Sequence, residues 1–335
     1  IVLERPAESY SCRILSQTEV FVRLFRDQII GVTGTKGKST TATLLYHVLK
    51  AAGKKALLVG NIGIPAFDHL AEIEEDTIIV FELSCHQLEY LTVSPRMALL
   101  LNIHEEHLDH YQTMENYVRA KEQIFRHQKK GDLLICGGQC RPKPGSCAAK
   151  EIVVEERSHE TVSLEPAAPE KDSSVFLDGA CIFFRGERYA IPVGEIRLLG
   201  QHNYLDIAFV YAACRLNGVT GEAMTRGLKT YQPLPHRLAF LGECGGVKYY
   251  DDSISTICET AIQALNTIKD TDTVLIGGMD RGIDYRELIL YLSESTVEHI
   301  IFMEESGERI YREICGKYPA FGRRERLVLV PHLLE

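Results

Sequence analysis

Short runs of apolar residues alternate with longer amphipathic stretches through the first part of the chain. Five runs have the length of a strand, at 29–32, 56–59, 78–81, 98–101 and 133–136. Helical spacing of apolar residues covers 39–52 and 115–127, and Gly53 ends the first of these helices. Continuous apolar runs suit strands that are covered on both faces of a parallel sheet. The pattern therefore predicts an α/β fold.

The pattern changes after residue 137. A loop rich in Gly, Pro and Cys is expected at 137–150, and shorter runs then indicate antiparallel strands at 152–154, 181–184 and 189–193. Helical spacing returns at 203–216 and 222–230. The double-proline segment 232–235 that follows predicts a hinge, because proline interrupts regular structure.

A second α/β series follows the hinge. Strands are expected at 238–241, 247–250, 273–276, 299–303 and 327–330, and helices at 259–268, 285–292 and 308–315. We expect a central domain over 29–233, a C-terminal Rossmann-like domain over 234–335, and a short segment over 1–28 before the first strand. Because the chain stops just after a strand, we also expect the C-terminal domain to be truncated.

Composition excludes several classes of protein. The 335 residues are 45% hydrophobic and 25% charged, which suits about two folded domains and excludes general disorder. A net charge of −9 argues against a nucleic-acid-binding surface. No apolar run approaches the ~20 residues of a membrane helix, and the start lacks a signal-peptide pattern. We therefore expect a cytoplasmic protein whose ten cysteines are reduced thiols, with zinc at Cys136, Cys140 and Cys147 as the weaker alternative.

A phosphate-binding loop is the sharpest motif. It reads Gly34-Thr35-Lys36-Gly37-Lys38-Ser39-Thr40 and lies between a predicted strand and a predicted helix. Glycines allow backbone amides to turn toward an anion, and a helix N-terminus adds partial positive charge. Lys38 suits the β- and γ-phosphates, and a hydroxyl of Ser39 or Thr40 suits Mg²⁺. The alternative is a glycine-rich turn with a surface lysine.

Acidic and histidine side chains follow two other predicted strands. Glu82 comes directly after the run 78–81, where open α/β sheets bind ligands. The segment 102–110 holds three histidines, including His107, and three carboxylates. A zinc hydrolase is disfavoured because His104 and His107 are one residue too close for the usual helical pair. We expect a metal-binding or phosphate-positioning role, with a polar loop as the alternative.

An ordered set of motifs extends this picture. Besides the phosphate loop it comprises Gly60-Asn61-Ile62-Gly63, Glu82-Leu83-Ser84, Asn102-Ile103-x-x-Glu106-His107-Leu108-Asp109, Tyr117-x-x-Ala120-Lys121, Gly200-Gln201-His202-Asn203 and Leu234-Pro235-His236-Arg237. In this order the motifs resemble the Mur ligase family, which makes amide bonds in peptidoglycan precursors with ATP. The resemblance runs from about residue 29 to about residue 284 and favours the glutamate-adding branch. It implies a P-loop ATPase domain with a mainly parallel sheet and a small antiparallel section, followed by a Rossmann-like domain. It also implies that residues 1–28 are a linker that remains from a missing first domain.

The resemblance also implies a mechanism and a set of roles. A substrate carboxylate attacks the γ-phosphate of ATP, and the amine of glutamate then attacks the acyl phosphate. The implied catalytic residues are Lys38, Glu82, His107 and Lys121. Ser39 and Glu82 would hold one Mg²⁺, and His107 a second with Lys121 as a carbamate. The implied nucleotide contacts are residues 34–40, Asn203, Arg237 and Asp252, and the implied substrate contacts are Asn61, Ser84 and Arg281.

Partners follow from the same resemblance. We expect UDP-N-acetylmuramoyl-L-alanine and glutamate as substrates, no nucleic acid or membrane partner, and a monomer. Ile254 stands where the familiar pattern has lysine, which leaves D- versus L-glutamate open. Asp206 stands where that pattern has asparagine. Another Mur-type ligase, a folylpolyglutamate synthase-like ligase and a non-catalytic nucleotide-binding module remain alternatives.

Overall fold

The computed structural model describes residues 14–61, 65–157, 173–280, 282–322 and 324–331. The chain divides into two compact units, of which the first ends at Gln232 and the second begins at Pro233.

A nine-stranded sheet forms the centre of the first unit. Its order is β2-β3-β1-β4-β5-β6-β7-β8-β9, and neighbours are parallel from β2 to β7 and antiparallel from β7 to β9. The strands are β1 Ile29–Thr33, β2 Ala56–Gly60, β3 Ile78–Glu82, β4 Met97–Leu100, β5 Leu133–Gly137, β6 Lys150–Glu156, β7 Ser174–Asp178, β8 Cys181–Phe184 and β9 Glu187–Ala190.

The expected antiparallel arrangement of 152–154 is wrong. This segment belongs to β6, which pairs in parallel with both β5 and β7 in the same sheet. The loop 138–149 carries the chain back across the sheet, and a return of about a dozen residues is what a parallel pair requires. β7 was not expected at all. Residues 152–154 are buried in succession, which indicates a strand covered on both faces and does not by itself give its direction.

Helices cover both faces of this sheet. They are α1 Gln17–Phe25, α2 Lys38–Ala51, α3 Cys85–Leu88, α4 Leu108–Tyr111, α5 Met114–Arg126, α6 Gln201–Leu216 and α7 Gly221–Thr230. Because side chains alternate along a strand, Ile30 and Val32 enter the core with α2, α6 and α7, whereas Ile29 enters the core with α1 and α5. Short 3₁₀ turns occur at Ala66–Glu72, Gly138–Cys140 and Val193–Glu195.

α1 lies in the segment that was expected to be a linker. Ser16 caps it by accepting a hydrogen bond from the backbone amide of Glu19, and Phe21 and Val22 are fully buried. These apolar residues anchor α1 on the sheet, so this part of residues 1–28 belongs to the first unit.

The second unit contains a hairpin and a small parallel sheet. The hairpin joins β10 Ala239–Cys244 to β11 Val247–Asp251, and the sheet has the order β12-β13-β14. Its strands are β12 Thr273–Gly277, β13 His299–Met303 and β14 Leu327–Val330, its helices α8 Cys258–Thr267, α9 Arg286–Glu294 and α10 Glu304–Lys317, and a 3₁₀ turn lies at Arg324–Arg326. None of the helices described in either unit has both the length and the apolar character needed to cross a membrane.

Candidate active site

The phosphate loop joins β1 to α2. Gly37 caps α2 with φ 79°, a left-handed conformation that glycine adopts without strain. A Cβ atom at this position would lie 2.5 Å from Oδ1 of Asp206 on α6, so a side chain has no room. The N-terminus of α2 has no side-chain cap. The loop therefore presents backbone amides and the positive end of a helix dipole to an anion.

Lys38 folds back over this loop. Its Nζ donates a hydrogen bond to the backbone carbonyl of Thr35 at 2.9 Å. Burial lowers the pKa of Lys38, and the negative charges of Glu106 and Glu82 oppose that shift. The ammonium group is thus held beside the loop amides, where it can meet a phosphate oxygen.

Glu82 is the last residue of β3 and is completely buried. Its Oε1 accepts hydrogen bonds from Oγ of Ser39 at 3.2 Å and from Nδ2 of Asn61 at 3.3 Å. Its Oε2 is buried and has no hydrogen-bond partner. A buried carboxylate oxygen without a partner is costly for a protein alone but is a good ligand for a divalent cation. The arrangement of Glu82 and Ser39 therefore fits Mg²⁺.

Lys121 on α5 lies under the same loop and is only 1% exposed. Its Nζ donates to the carbonyl of Gly34 at 2.8 Å and lies 4.8 Å from the ring centre of Tyr117. Burial lowers the pKa of Lys121 to about 7, and the positive charge of Lys38 adds to this shift. A substantial fraction of the amine is then neutral near neutral pH, and a neutral amine can react as a nucleophile.

His107 stands at the start of α4. Its φ of 57° lies in the left-handed region, which is uncommon for a residue with a side chain and is often found at functional sites. The ring is half-exposed, with Nε2 3.8 Å from a carboxylate oxygen of Glu106 and its ring centre 5.2 Å from that of His86. Over the residues that the structure describes, no three or more His, Cys, Asp and Glu side chains group as they would around a metal.

Two predicted contacts have local partners. Ser84 caps α3 in a capping box with Gln87, and Asn203 donates to the carbonyl of Leu199 in the first turn of α6. Both therefore help to build local structure, whatever else they bind.

The remaining predicted contacts concern the second unit. The carboxylate of Asp252 accepts hydrogen bonds from the amide of Leu238 at 2.8 Å and from the hydroxyl of Ser255. Arg237 lies in the bend before β10 and is partly exposed. Arg281 lies outside the described residues.

The cysteine cluster faces the apolar core between the sheet and α5. Cys136 is buried, and Sγ of Cys140 donates to the carbonyls of Leu100 and Gly137. Burial raises the pKa of Cys140 to about 11. A thiol in such surroundings stays protonated, which does not favour a zinc ligand.

Asn102 and Tyr117 lie in the quoted motifs, but no individual role was predicted for either. The hydroxyl of Tyr117 is 3.0 Å from that of Thr35, and the side chain of Asn102 bonds to the backbone of the loop. The sequence signal for Asn102 was its position directly after the apolar run 98–101, but its contact with the loop depends on β4 lying beside β1.

Comparison with known proteins identifies the family. The Mur ligase middle domain matches residues 32–214. A UDP-N-acetylmuramoylalanine--D-glutamate ligase of Alkaliphilus metalliredigens is 32% identical over 305 residues, which cover 89% of this chain and 64% of that protein. The enzyme of the same name from Oceanobacillus iheyensis is 30% identical over 335 residues, which cover 100% of this chain and 72% of that protein. The chain thus spans about two thirds of the length of these curated relatives.

A solved structure shows the same fold. MurF from Acinetobacter baumannii superimposes with a TM-score of 0.67 at 18% identity, over 93% of this chain and 69% of that chain. The predicted α/β fold class is confirmed, as is the resemblance drawn from the motifs. The chain belongs to the Mur ligase family.

Proposed function

We propose that the complete protein is an ATP-dependent, ADP-forming ligase that adds D-glutamate to UDP-N-acetylmuramoyl-L-alanine in the cytoplasm, during peptidoglycan precursor synthesis. The observation that carries the proposal is the assembly of Lys38, Glu82 and Lys121 around one phosphate loop. The names of the relatives from Alkaliphilus metalliredigens and Oceanobacillus iheyensis support the substrate and the D-glutamate choice. We further propose a central domain over 29–233 and a C-terminal domain over 234–335, and the monomeric state stays a prediction.

The chemistry follows from positioning and charge. The amides at the start of α2 and the ammonium group of Lys38 would bind the β- and γ-phosphates. An oxygen of the acceptor carboxylate forms a bond to the γ-phosphorus, and the bond to ADP breaks. The amine of glutamate then attacks the acyl carbon, and phosphate leaves with that acceptor oxygen. Glu82 and Ser39 would hold Mg²⁺, which neutralises charge on the phosphates when it is bound.

Lys121 is the proposed site of a carbamate. Its neutral amine would attack the carbon of CO₂ and lose one proton to solvent, which converts a buried cation into an anion. With His107 this anion would support a second Mg²⁺. We expect short-chain carboxylates such as acetate to restore part of the activity of Lys121→Ala but none of that of Lys121→Arg, whose side chain fills the space. Equal responses of the two variants to acetate would contradict the carbamate.

Phosphate release tests the proposed reaction. The complete protein is incubated with ATP, Mg²⁺ and UDP-N-acetylmuramoyl-L-alanine, with D-glutamate, L-glutamate or neither. We expect release only with D-glutamate. Release with L-glutamate alone would direct attention to Ile254 and its neighbours, and release only with another acceptor from a panel that includes a folate would indicate another ligase. ADP binding without release under any condition would favour a non-catalytic nucleotide-binding module.

A further inference from the structure

The phosphate loop is fastened to the loop that follows β4, and Asn102 is the centre of that attachment. Its Oδ1 accepts hydrogen bonds from the backbone amides of Thr35 at 3.1 Å and Lys36 at 2.8 Å. Its Nδ2 donates to the carbonyl of Lys36 at 3.1 Å, and its own carbonyl accepts from the amide of Thr35 at 2.9 Å. One side chain thus satisfies three backbone groups at the front of the loop.

We propose that Asn102 is a positioning residue that divides the phosphate loop into a fixed front and a phosphate-binding back. This inference rests on the proposed binding of a nucleotide at the loop. The amides of Thr35 and Lys36 are engaged by Asn102 before any ligand arrives. The amides of residues 37–40 lie at the cap and in the first turn of α2, where amides have no partner within the helix. The phosphates of a nucleoside diphosphate would therefore be bound by the backbone amides of residues 37–40 and the ammonium group of Lys38. The amides of residues 35 and 36 would not bind them.

Other contacts hold the same front segment. The hydroxyl of Thr35 accepts from the amide of His104 at 3.0 Å and lies 3.0 Å from that of Tyr117, so it is held by the loop after β4 and by α5. A salt bridge of 3.4 Å joins Lys36 to Glu106.

The side chains of Lys38 and Lys121 both bond to the fixed front of the loop. The carbonyl of Gly34 receives Lys121 and the carbonyl of Thr35 receives Lys38. These two carbonyls belong to the same peptide groups whose amides Asn102 holds. Loss of Asn102 would therefore free the acceptors that place both ammonium groups. Asn102 would then influence nucleotide binding without touching the nucleotide.

Two variants with opposite effects on volume separate this role from simple packing. Asn102→Ala removes the side-chain hydrogen bonds and leaves a space, whereas Asn102→Leu removes them and fills it. The matched control is Asn217→Ala, because Asn217 also bonds to backbone through its Nδ2, to Ala213 at 2.8 Å at the end of α6. Each variant of the complete protein is titrated calorimetrically with ADP and Mg²⁺, and its thermal unfolding is recorded without ligand.

We expect both Asn102 variants to bind ADP about tenfold or more weakly, as the loss of several hydrogen bonds implies, while the control binds as the wild type does. Equal affinity in wild type and both Asn102 variants would overturn the proposal. So would an equal loss of affinity in the control, because general destabilisation would then explain the effect. Failure of the wild type itself to bind ADP would instead overturn the proposed function.

Hydrogen exchange gives a second readout that remains available if one variant fails to fold. In wild type, the amides of Thr35 and Lys36 should be protected before ADP is added, and ADP should add protection at residues 37–40. Asn102→Ala or Asn102→Leu should remove the early protection. Rapid exchange of both amides in wild type without ADP would contradict the assignment.

Discussion

The candidate site residues at the carboxyl edge of the nine-stranded sheet differ from those of the second unit in the groups that hold their side chains. At the sheet edge, Lys38, Glu82 and Lys121 are held by the loop that they serve, and Glu82 and Lys121 are nearly or completely buried. In the second unit, Asp252 bonds to its own neighbours, and the hairpin exposes 56% of Phe240. The first unit by itself gathers charged side chains around one loop, whereas the contacts of Asp252 lie within the second unit. Substitutions should therefore affect nucleotide chemistry most strongly at the sheet edge.

Lys38→Ala should have the largest effect. It removes a cation held beside the loop amides, so phosphate release by the complete protein should fall by about 10²-fold or more. The control is Lys50→Ala, an exposed lysine in the last turn of the same helix, which should keep normal release. Near-normal turnover in Lys38→Ala would remove the loop from the mechanism.

Glu82→Gln removes the charge of the proposed Mg²⁺ ligand. The factor by which Mg²⁺ raises the affinity for ADP should therefore fall by roughly 10-fold to 10²-fold. The same change should not lower the unfolding temperature without ligand, because one oxygen of Glu82 is buried without a partner.

Glu19→Gln is the matched control for this second expectation. Glu19 is also buried, but it accepts bonds from the amide and hydroxyl of Thr92 at 2.9 and 2.7 Å and pairs with Arg23. Its loss of charge should lower the unfolding temperature. Equal destabilisation by the two variants would mean that Glu82 is a structural residue.

Asp252→Asn should have a smaller effect, because asparagine can still accept from the amide of Leu238. We expect ADP affinity to fall less than about tenfold, as for one modified polar contact, when measured by calorimetry. Asp270→Asn, at an exposed position of the same unit, serves as the control. A loss of ADP affinity as great as in Glu82→Gln would remove the contrast between the two units.

Lys121→Met tests the buried amine through the pH dependence of stability. Folding lowers the pKa of Lys121 from its ordinary 10.5 to about 7, so the unfolded chain binds more protons between these values. The penalty for burying the charged amine is complete below pH about 7 and is relieved as the pH rises toward 10.5.

The unfolding temperature of Lys121→Met should therefore exceed that of wild type by a few degrees at pH 6 and by less at pH 9, in buffers depleted of CO₂. A difference that does not vary with pH would show that the pKa of Lys121 is close to normal.

The sequence specified the phosphate loop and Glu82 well, because both depend on local order: a strand end followed by a loop or helix. The burial of Lys121 could also have been inferred, since Tyr117, Ala120 and Ile124 lie on the same helical face and are buried. The role of Asn102 depends on β4 lying beside β1, and the direction of β6 depends on the route of its connection. Neighbour relations between strands are tertiary, and the apolar pattern of one strand does not encode them.

Transfer of an oxygen atom tests the central proposal most directly. UDP-N-acetylmuramoyl-L-alanine labelled with ¹⁸O in its carboxylate is converted by the complete protein with ATP, Mg²⁺ and D-glutamate, and the released phosphate is examined by mass spectrometry. If the carboxylate attacks the γ-phosphorus, each phosphate carries one ¹⁸O atom from the acceptor. Phosphate without the label would show that water attacks ATP, and would contradict activation of the acceptor at this loop.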